Sequence, residues 1–473
     1  MKNAYLLEIV KALQPIERQE IAQLLTQPTK EYRSIKEMAR LFQVILDAAP
    51  GFSQVMLQKD KVYFQIYADQ NIVQGKLEKL MSDLNKFLRN YVLTTHYLSD
   101  ENDTQRQVEW SAWLRKRGLA ERAQKILTNL KKQQEPKQSE SLEQYLNKLL
   151  LAQEAHEWEC KFNQVQGNLE IPQLVKALDL YYYNYRTELA NRYVLQQKAI
   201  KLKDGNFFGL GLDSYKEESI LLQISVKILE VLSKEFPSVE ETQELMQLLN
   251  NHEETLSFEA LYQFYAYLRN SCTLVINNGN LEFIPILHEI HKNNLLRGYF
   301  FANGQLPPHA YLNLIQIATR AKEYEWARKF TEEYRDRIVG GDENQFYYKL
   351  NMAHCLFSEG KFEQALDFIP ETPSSSHYYH ILRRLEIKIY YELRSEQLHY
   401  KTDNFRKFID RMAPKTIADN LRTMDLNFLN LLLQLTQTPF KDKARSARLI
   451  ARIENKKLVS DRAWLIEKAS ELG

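Results

Sequence analysis

The sequence predicts an all-α protein, with an N-terminal helical bundle followed by an array of antiparallel helix hairpins. Glycine and proline are scarce, with 14 and 13 among 473 residues, whereas sandwiches, barrels and parallel α/β sheets need frequent turn residues. Apolar residues recur at three- and four-residue spacing along most of the chain, which is the period of an amphipathic helix. One helix-hairpin pattern also occurs twice in the C-terminal half, as expected of a repeat array.

Composition and charge describe an ordinary core-forming chain. Hydrophobic residues make up 44% and charged residues 26%, which excludes disorder for most of the chain. Lys plus Arg number 63 against 61 Asp plus Glu, so the net charge does not indicate a nucleic-acid or membrane binder. Any preference for a partner must come from local patches.

We expect a cytoplasmic protein without a membrane span. Lys2, Glu8 and Lys11 interrupt the apolar residues of the first helix, unlike the apolar core of a signal peptide. The longest uncharged apolar run, 426–440, is too short to cross a bilayer. The 3 cysteines are odd in number and far apart, which fits a reducing compartment better than a disulfide framework.

The first predicted segment, residues 1–98, is a compact helical module. Breaks are expected at Pro28, at 49–51 and at 69–71, where turn-forming residues occur. Its clearest helix has an apolar stripe at i, i+3, i+4, i+7 spacing, which predicts one buried face. The stripe consists of Leu77, Leu80, Met81, Leu84, Phe87, Leu88 and Tyr91.

Two further segments precede the array. Residues 99–135 are predicted to be a helical hairpin and a linker, because 131–141 is polar and lacks apolar periodicity. Residues 136–254 form a middle region of long helices, including one over 178–201. The glycine-rich stretch 203–215 is predicted to be a loop.

The last segment, residues 255–473, is predicted to be the helical array. The stretch Tyr324–Phe330 aligns with Phe362–Phe368, 38 positions later, and the preceding helices align too. A small Ala in each second helix permits close approach of the two helices, so that stacked hairpins bury a shared apolar face. The stretch 273–284 also resembles a β-hairpin around Asn-Gly, but we favour two helices that meet at this turn.

These residues resemble the tetratricopeptide repeat, whose second helix opens with Gly-x-aromatic-x-x-Ala. The stretch Gly360–Ala365 fits this motif, and Gly118–Ala123 fits it in part. Lys322 replaces the turn glycine of the earlier copy, and the period of 38 exceeds the usual ~34 residues. The resemblance implies a tetratricopeptide-like α-solenoid that presents a concave surface.

The chain also resembles a family of long all-helical proteins from Bacteroidetes-type bacteria, for which we know no established activity. The resemblance rests on Val62–Tyr67, Lys76–Leu84, Leu178–Tyr183 and Glu188–Ala190. It supports the helical fold and implies no cofactor or reaction.

Candidate chemical motifs are few. His288 and His291, like His377 and His380, stand at i, i+3, but zinc needs three or four ligands and neither pair has an evident further one. The 205–211 glycines lack the Gly-Lys-Ser/Thr ending of a phosphate-binding loop. No hydrolase, kinase or zincin motif is present, so we expect no metal, no cofactor and no enzyme activity.

Three surface patterns remain as candidates for partner binding. Tyr182, Tyr185, Leu189 and Tyr193 form one stripe, which we interpret as core packing, with peptide capture as the alternative. Basic runs occur at 115–132 and at 441–457. The second run aligns three guanidinium groups on one helical face, which could bind phosphates or an acidic protein surface. We favour the interpretation that this face is simply solvated. These are Arg445, Arg448 and Arg452.

The stretch 65–84 resembles the helix-turn-helix portion of bacterial regulators that join a winged helix to a tetratricopeptide-like domain. The resemblance implies DNA binding through a basic outer face, although no β-wing is evident and few base-reading side chains are present. The basic candidates are Lys76, Lys79, Lys86 and Arg89.

The sequence therefore favours a non-catalytic protein–protein interaction scaffold or adaptor, which holds another protein or peptide on its concave surface. A DNA-binding transcriptional regulator that uses the N-terminal module is the first alternative, and a cryptic enzyme with a dispersed site is the second.

Overall fold

The computed structural model describes most of the chain in fourteen stretches. They are residues 5–27, 34–49, 52, 57–67, 72–99, 103–133, 139–162, 171–200, 218–234, 236–301, 304–339, 344–370, 376–411 and 419–473. These residues form 22 α-helices and no strand beyond two isolated bridges. The predicted all-α class is confirmed.

The chain divides into two compact units. The first comprises residues 1–138 and 142–182, and the second comprises 139–141 and 183–473. The finer division into four segments stays a prediction. No helix within the described ranges is long and apolar enough to span a membrane.

The first unit begins with five helices around one core. They are α1 (Tyr5–Ala12), α2 (Pro15–Leu24), α3 (Ile35–Asp47), α4 (Lys59–Tyr67) and α5 (Lys76–Tyr97). Helix α5 buries Leu77, Leu80, Leu84 and Leu88 against residues of α1, α3 and α4. The predicted stripe is therefore confirmed, and its spacing is the reason that one face of α5 faces the core.

The remaining helices of the first unit form a second core. They are α6 (Asp103–Lys116), α7 (Ala120–Gln133) and α8 (Leu142–Phe162), followed by α9 (Ile171–Ile200), which continues into the second unit. Leu114, Leu127 and Trp158 pack together between α6, α7 and α8. The indole N–H of Trp158 donates to the Ala120 carbonyl at 3.0 Å.

The second unit contains the other helices. They are α10 (Ile220–Ser233), α11 (Val239–Asn251), α12 (Phe258–Asn277), α13 (Phe283–Leu296), α14 (Pro308–Arg320), α15 (Tyr324–Glu333), α16 (Asn344–Ser358), α17 (Phe362–Asp367), α18 (Ser376–Glu392), α19 (Gln397–Arg411), α20 (Asp419–Thr436), α21 (Lys443–Asn455) and α22 (Arg462–Glu471). Gly279, with φ of 105°, lies between α12 and α13, so the preferred two-helix prediction is correct. The predicted loop 203–215 lies outside the described residues.

The turns of three helix pairs share one backbone geometry. Gly118, Lys322 and Gly360 all adopt left-handed φ values, of 79°, 62° and 78°. In each turn the next N–H donates to a carbonyl five residues earlier, at 3.0, 2.9 and 2.9 Å. This is the hydrogen bond of a Schellman motif, which satisfies the last carbonyls of the first helix.

The small residue of each second helix is fully buried. Ala123, Ala327 and Ala365 have no exposed surface, as expected where two helices approach closely. The backbone geometry at Lys322 explains how this turn forms without glycine: the lysine adopts the left-handed conformation at some cost in strain.

Candidate functional site

The predicted arginines of the C-terminal run line a cavity between α20 and α21. The cavity has a volume of about 430 Å³. We call it the arginine pocket, and its lining residues are Gln434, Gln437, Thr438, Arg445, Arg448, Leu449 and Arg452. The structure thus brings together all three predicted arginines.

The pattern of α21 explains why the arginines face this cavity. Ser446, Leu449 and Ile453 are buried at i, i+3, i+7, and the Ser446 hydroxyl donates to the Ala469 carbonyl at 2.7 Å. Arg445, Arg448 and Arg452 each stand one position before one of these buried residues. They therefore lie along the edge of the buried face, beside the end of α20.

Local hydrogen bonds orient the guanidinium groups. Arg452 donates to the Gln434 side chain at 2.7 Å, and Arg448 donates to the Ala444 carbonyl at 3.1 Å. Arg445 forms an exposed ion pair with Asp442 at 3.3 Å. Each contact uses only part of a five-donor guanidinium group, and the lining residues include no acid. The pocket can accept an oxyanion such as a carboxylate or a phosphate.

The other predicted cations lie on the solvent side of α5. Lys76, Lys79, Lys86 and Arg89 are all exposed. The Lys76 ammonium lies 3.9 Å from the centre of the Tyr67 ring, so this lysine packs on an aromatic side chain of the module itself.

The first histidine pair belongs to the core. His288 and His291 are 4% and 5% exposed, and their rings lie edge-on to Trp326 and Phe300. Burial, together with Arg269 and His288, lowers the pKa of His291 to about 3. Among the described residues, no group of three His, Cys, Asp or Glu could hold a metal.

Only one histidine of the second pair has a described side chain. The side chain of His377 lies outside the described part of the chain, whereas His380 belongs to a buried ion cluster that sequence reasoning missed. We define this cluster as His380, Arg384, Lys388, Asp425, Ser460 and Asp461. Asp425 accepts hydrogen bonds from His380 Nδ1 and Arg384, each at 2.6 Å, and from Ser460 at 2.7 Å.

The second half of the cluster is centred on Asp461. Its carboxylate accepts from Arg384 Nε at 2.9 Å and from Lys388 Nζ at 2.5 Å. Burial raises the pKa of Asp461, but the charges of Lys388 and Arg384 outweigh this effect and lower it to about 2. Because His380 is only 1% exposed, its ring is inaccessible to a substrate, and we interpret the cluster as a link between α18, α20 and α22.

A second cavity lies beside α12. It measures about 610 Å³. Its lining residues are Arg192, Leu195, Gln196, Gln263, Tyr267, Asn270, Thr273 and Leu274. We call it the carboxamide groove, because its Gln and Asn side chains offer both hydrogen-bond donors and acceptors, as peptide groups do.

The tyrosine stripe is more exposed than core packing predicts. Tyr182, Tyr185 and Leu189 are 45%, 44% and 42% exposed. The buried side of α9 instead carries Asn184, which is 2% exposed. The apolar spacing indicated a shared face correctly, but it did not indicate which face is buried.

Comparison with family models, with curated proteins and with solved structures finds no match for this chain.

Proposed function

We propose that the protein is a non-catalytic scaffold or adaptor, and that an acidic segment of a partner polypeptide binds in the arginine pocket. The observation that carries this proposal is the convergence of Arg445, Arg448 and Arg452 on one cavity whose other lining residues are uncharged. Planar guanidinium groups bind carboxylates through two parallel hydrogen bonds, which gives both affinity and orientation.

The dimensions suit an extended acidic segment. Arg445 and Arg452 are seven residues apart on α21, which corresponds to about 10 Å along the helix axis. Side chains on one side of an extended peptide recur every ~7 Å, so two carboxylates of one segment fit within the span of the three arginines.

Two further features support a polypeptide ligand. The carboxamide groove offers the donors and acceptors that an extended backbone requires. The shared turn geometry at Gly118, Lys322 and Gly360 supports a tetratricopeptide-like α-solenoid, an architecture that commonly presents extended binding surfaces.

Fluorescence anisotropy with labelled peptides tests the proposal. The acidic probe is (Glu-Ser)₄, and the matched neutral probe is (Gln-Ser)₄. We expect the full chain to bind the acidic probe and to lose at least about tenfold in affinity when the three arginines become alanine, since each charge-assisted hydrogen bond contributes roughly 1.5–3 kcal/mol. The affinity should fall as salt concentration rises.

A charge-matched control separates the pocket from general attraction. The control variant changes exposed cations of α5, namely Lys79→Ala, Lys86→Ala and Arg89→Ala. It should bind the acidic probe normally. Equal binding of both probes, or equal losses in the two variants, would contradict the proposal.

DNA binding by the N-terminal module remains the second candidate, because α5 exposes its four basic residues. The same α5 variant tests it with a 16-base-pair duplex. A regulator of this kind should bind the duplex more weakly in that variant, and its remaining affinity should depend less on salt concentration. The variant that replaces the three pocket arginines should bind the duplex normally.

A further inference from the structure

The α6–α7 hairpin of the first unit carries an exposed aromatic surface that the proposed function does not use. Trp110, Trp113 and Arg117 stand at i, i+3, i+7 of α6 and its C-terminal turn, so they share one face. The two indoles are 52% and 45% exposed. We call these three residues the tryptophan platform.

The platform is a continuous stack. The indole rings lie 4.9 Å apart with only 11° between their planes, and the Arg117 guanidinium carbon lies 5.2 Å from the centre of the Trp113 ring. Trp113 therefore contacts both a second indole and a cation. Because Trp110 is 52% exposed, part of its surface is accessible to a ligand.

The opposite face of α6 holds the platform in place. Val108, Ser111 and Leu114 are buried, and Arg115 binds Glu154 of α8 through two hydrogen bonds of 3.0 Å. A ligand would therefore meet a surface that is already ordered, and little rotamer entropy would be lost on binding.

The exposed charged side chains of the α6–α7 hairpin are mostly positive. Lys116, Arg117, Arg122 and Lys125 of the hairpin are exposed, whereas Arg115 is engaged by Glu154. Three acids of α6 and α7 have exposed side chains. Glu109 accepts a hydrogen bond from Tyr97 at 2.5 Å, Asp103 pairs with Arg106 at 3.1 Å, and Glu121 is the third. A ligand that fits this surface combines flat rings with negative charge.

We propose that the tryptophan platform binds single-stranded nucleic acid, with bases stacked on the indoles and phosphates near the exposed cations. Aromatic side chains bind bases with little sequence preference, because every base offers a flat face, and cations nearby track the backbone. Double-stranded nucleic acid keeps its bases stacked internally and offers only phosphates to this surface.

The test uses the full chain and fluorescein-labelled oligonucleotides at 50 mM NaCl. The probes are dT12 and U12, a 12-base-pair duplex, and the (Glu-Ser)₄ peptide. We expect saturable binding of dT12, U12 or both, accompanied by quenching of tryptophan fluorescence, and weaker binding of the duplex. Comparison of dT12 with U12 distinguishes DNA from RNA as the preferred ligand.

Variants separate stacking from charge. Changing Trp110→Ala and Trp113→Ala should weaken oligonucleotide binding by about 10- to 100-fold while the slope of log affinity against log salt stays the same, because that slope reports phosphate contacts. Arg117→Glu, at an exposed position, should also weaken binding and provides a second variant if the double variant folds poorly by circular dichroism. The arginine-pocket variant should bind oligonucleotides normally.

Three results would overturn the proposal. They are an absence of saturable binding to both single strands, unchanged affinity in the tryptophan and Arg117 variants, and equal affinity for duplex and single strand. Platform-dependent binding of (Glu-Ser)₄ without oligonucleotide binding would show a protein-binding surface instead.

Discussion

Replacement of Asp461 by Asn should destabilise the second unit through the buried ion cluster. The substitution removes one negative charge and keeps the size of the side chain. It also keeps the backbone conformation available, because Asp461 has φ of 50° and Asn tolerates the left-handed region as Asp does. The effect therefore isolates the charge from backbone strain.

The pKa of Asp461 gives the magnitude. Its fall from 3.8 to about 2 corresponds to about 2–3 kcal/mol, since one pKa unit is about 1.4 kcal/mol. Loss of the charge removes the carboxylate that pairs with Lys388 and leaves Arg384 paired with Asp425. Removal of one partner of a buried pair costs about 3–5 kcal/mol. Since the Asp461 side chain is 22% exposed, we expect a loss of about 3 kcal/mol, near the lower end of that range.

Hydrogen exchange measured by mass spectrometry provides the assay. It reports the free energy of opening for peptides within α18 and α22 separately, so it does not require two-state unfolding of the whole chain. The matched control is Asp336→Asn, because Asp336 is 84% exposed and pairs with Arg335 at 3.3 Å. The control should change stability by less than about 0.5 kcal/mol.

A double-mutant cycle identifies the cause of the loss. If charge imbalance is responsible, Lys388→Met combined with Asp461→Asn should cost less than the sum of the single changes, by at least about 1 kcal/mol. A loss below about 0.5 kcal/mol for Asp461→Asn alone, or strict additivity in the cycle, would refute this reasoning.

Two further predictions concern the repeated turns and the core histidine. Gly360→Ala should destabilise α16 and α17 by about 1 kcal/mol, because Gly360 has φ of 78° and alanine is strained in the left-handed region. An added Cβ meets nothing within 4 Å, so backbone strain is the only expected cost. Lys322→Gly should stabilise the equivalent turn by up to about 1 kcal/mol. Urea unfolding measures both changes in stability, and changes of the opposite sign would contradict backbone strain as the cause. The folded pKa of His291, about 3, lies below its unfolded value of ~6.5, so protons bind the unfolded chain preferentially. The free energy of unfolding should therefore fall as pH drops from ~6.5 towards 3. His291→Leu should lower the slope of unfolding free energy against pH by up to about 1.4 kcal/mol per pH unit. An unchanged slope would contradict a neutral buried His291.

Periodicity predicted the helices and one buried face well. The stripe of Leu77, Leu80, Leu84 and Leu88 could be read directly, because helical spacing fixes which residues share a face. The same reasoning aligned Arg445, Arg448 and Arg452. It failed for Tyr182 and Tyr185, whose shared face is exposed, because the burial of a face depends on what packs against it.

The ion cluster was not predictable from local pattern. Arg384 and Asp461 are 77 positions apart, and Arg384 and Asp425 are 41 apart. Only the i, i+4, i+8 spacing of His380, Arg384 and Lys388 on α18 was visible in the sequence, and a row of charges on a helix more often faces solvent.

The amino-acid sequence by itself determined the all-α class, the helical stripes and the equivalence of the turns at Lys322 and Gly360, because these depend on contacts within a few residues. Only the tertiary structure decided that three arginines line a cavity, that two tryptophans stack in the open, and that distant charges meet in the core. Those outcomes depend on which helices pack together, since packing sets the burial, and hence the chemistry, of every side chain on the shared faces.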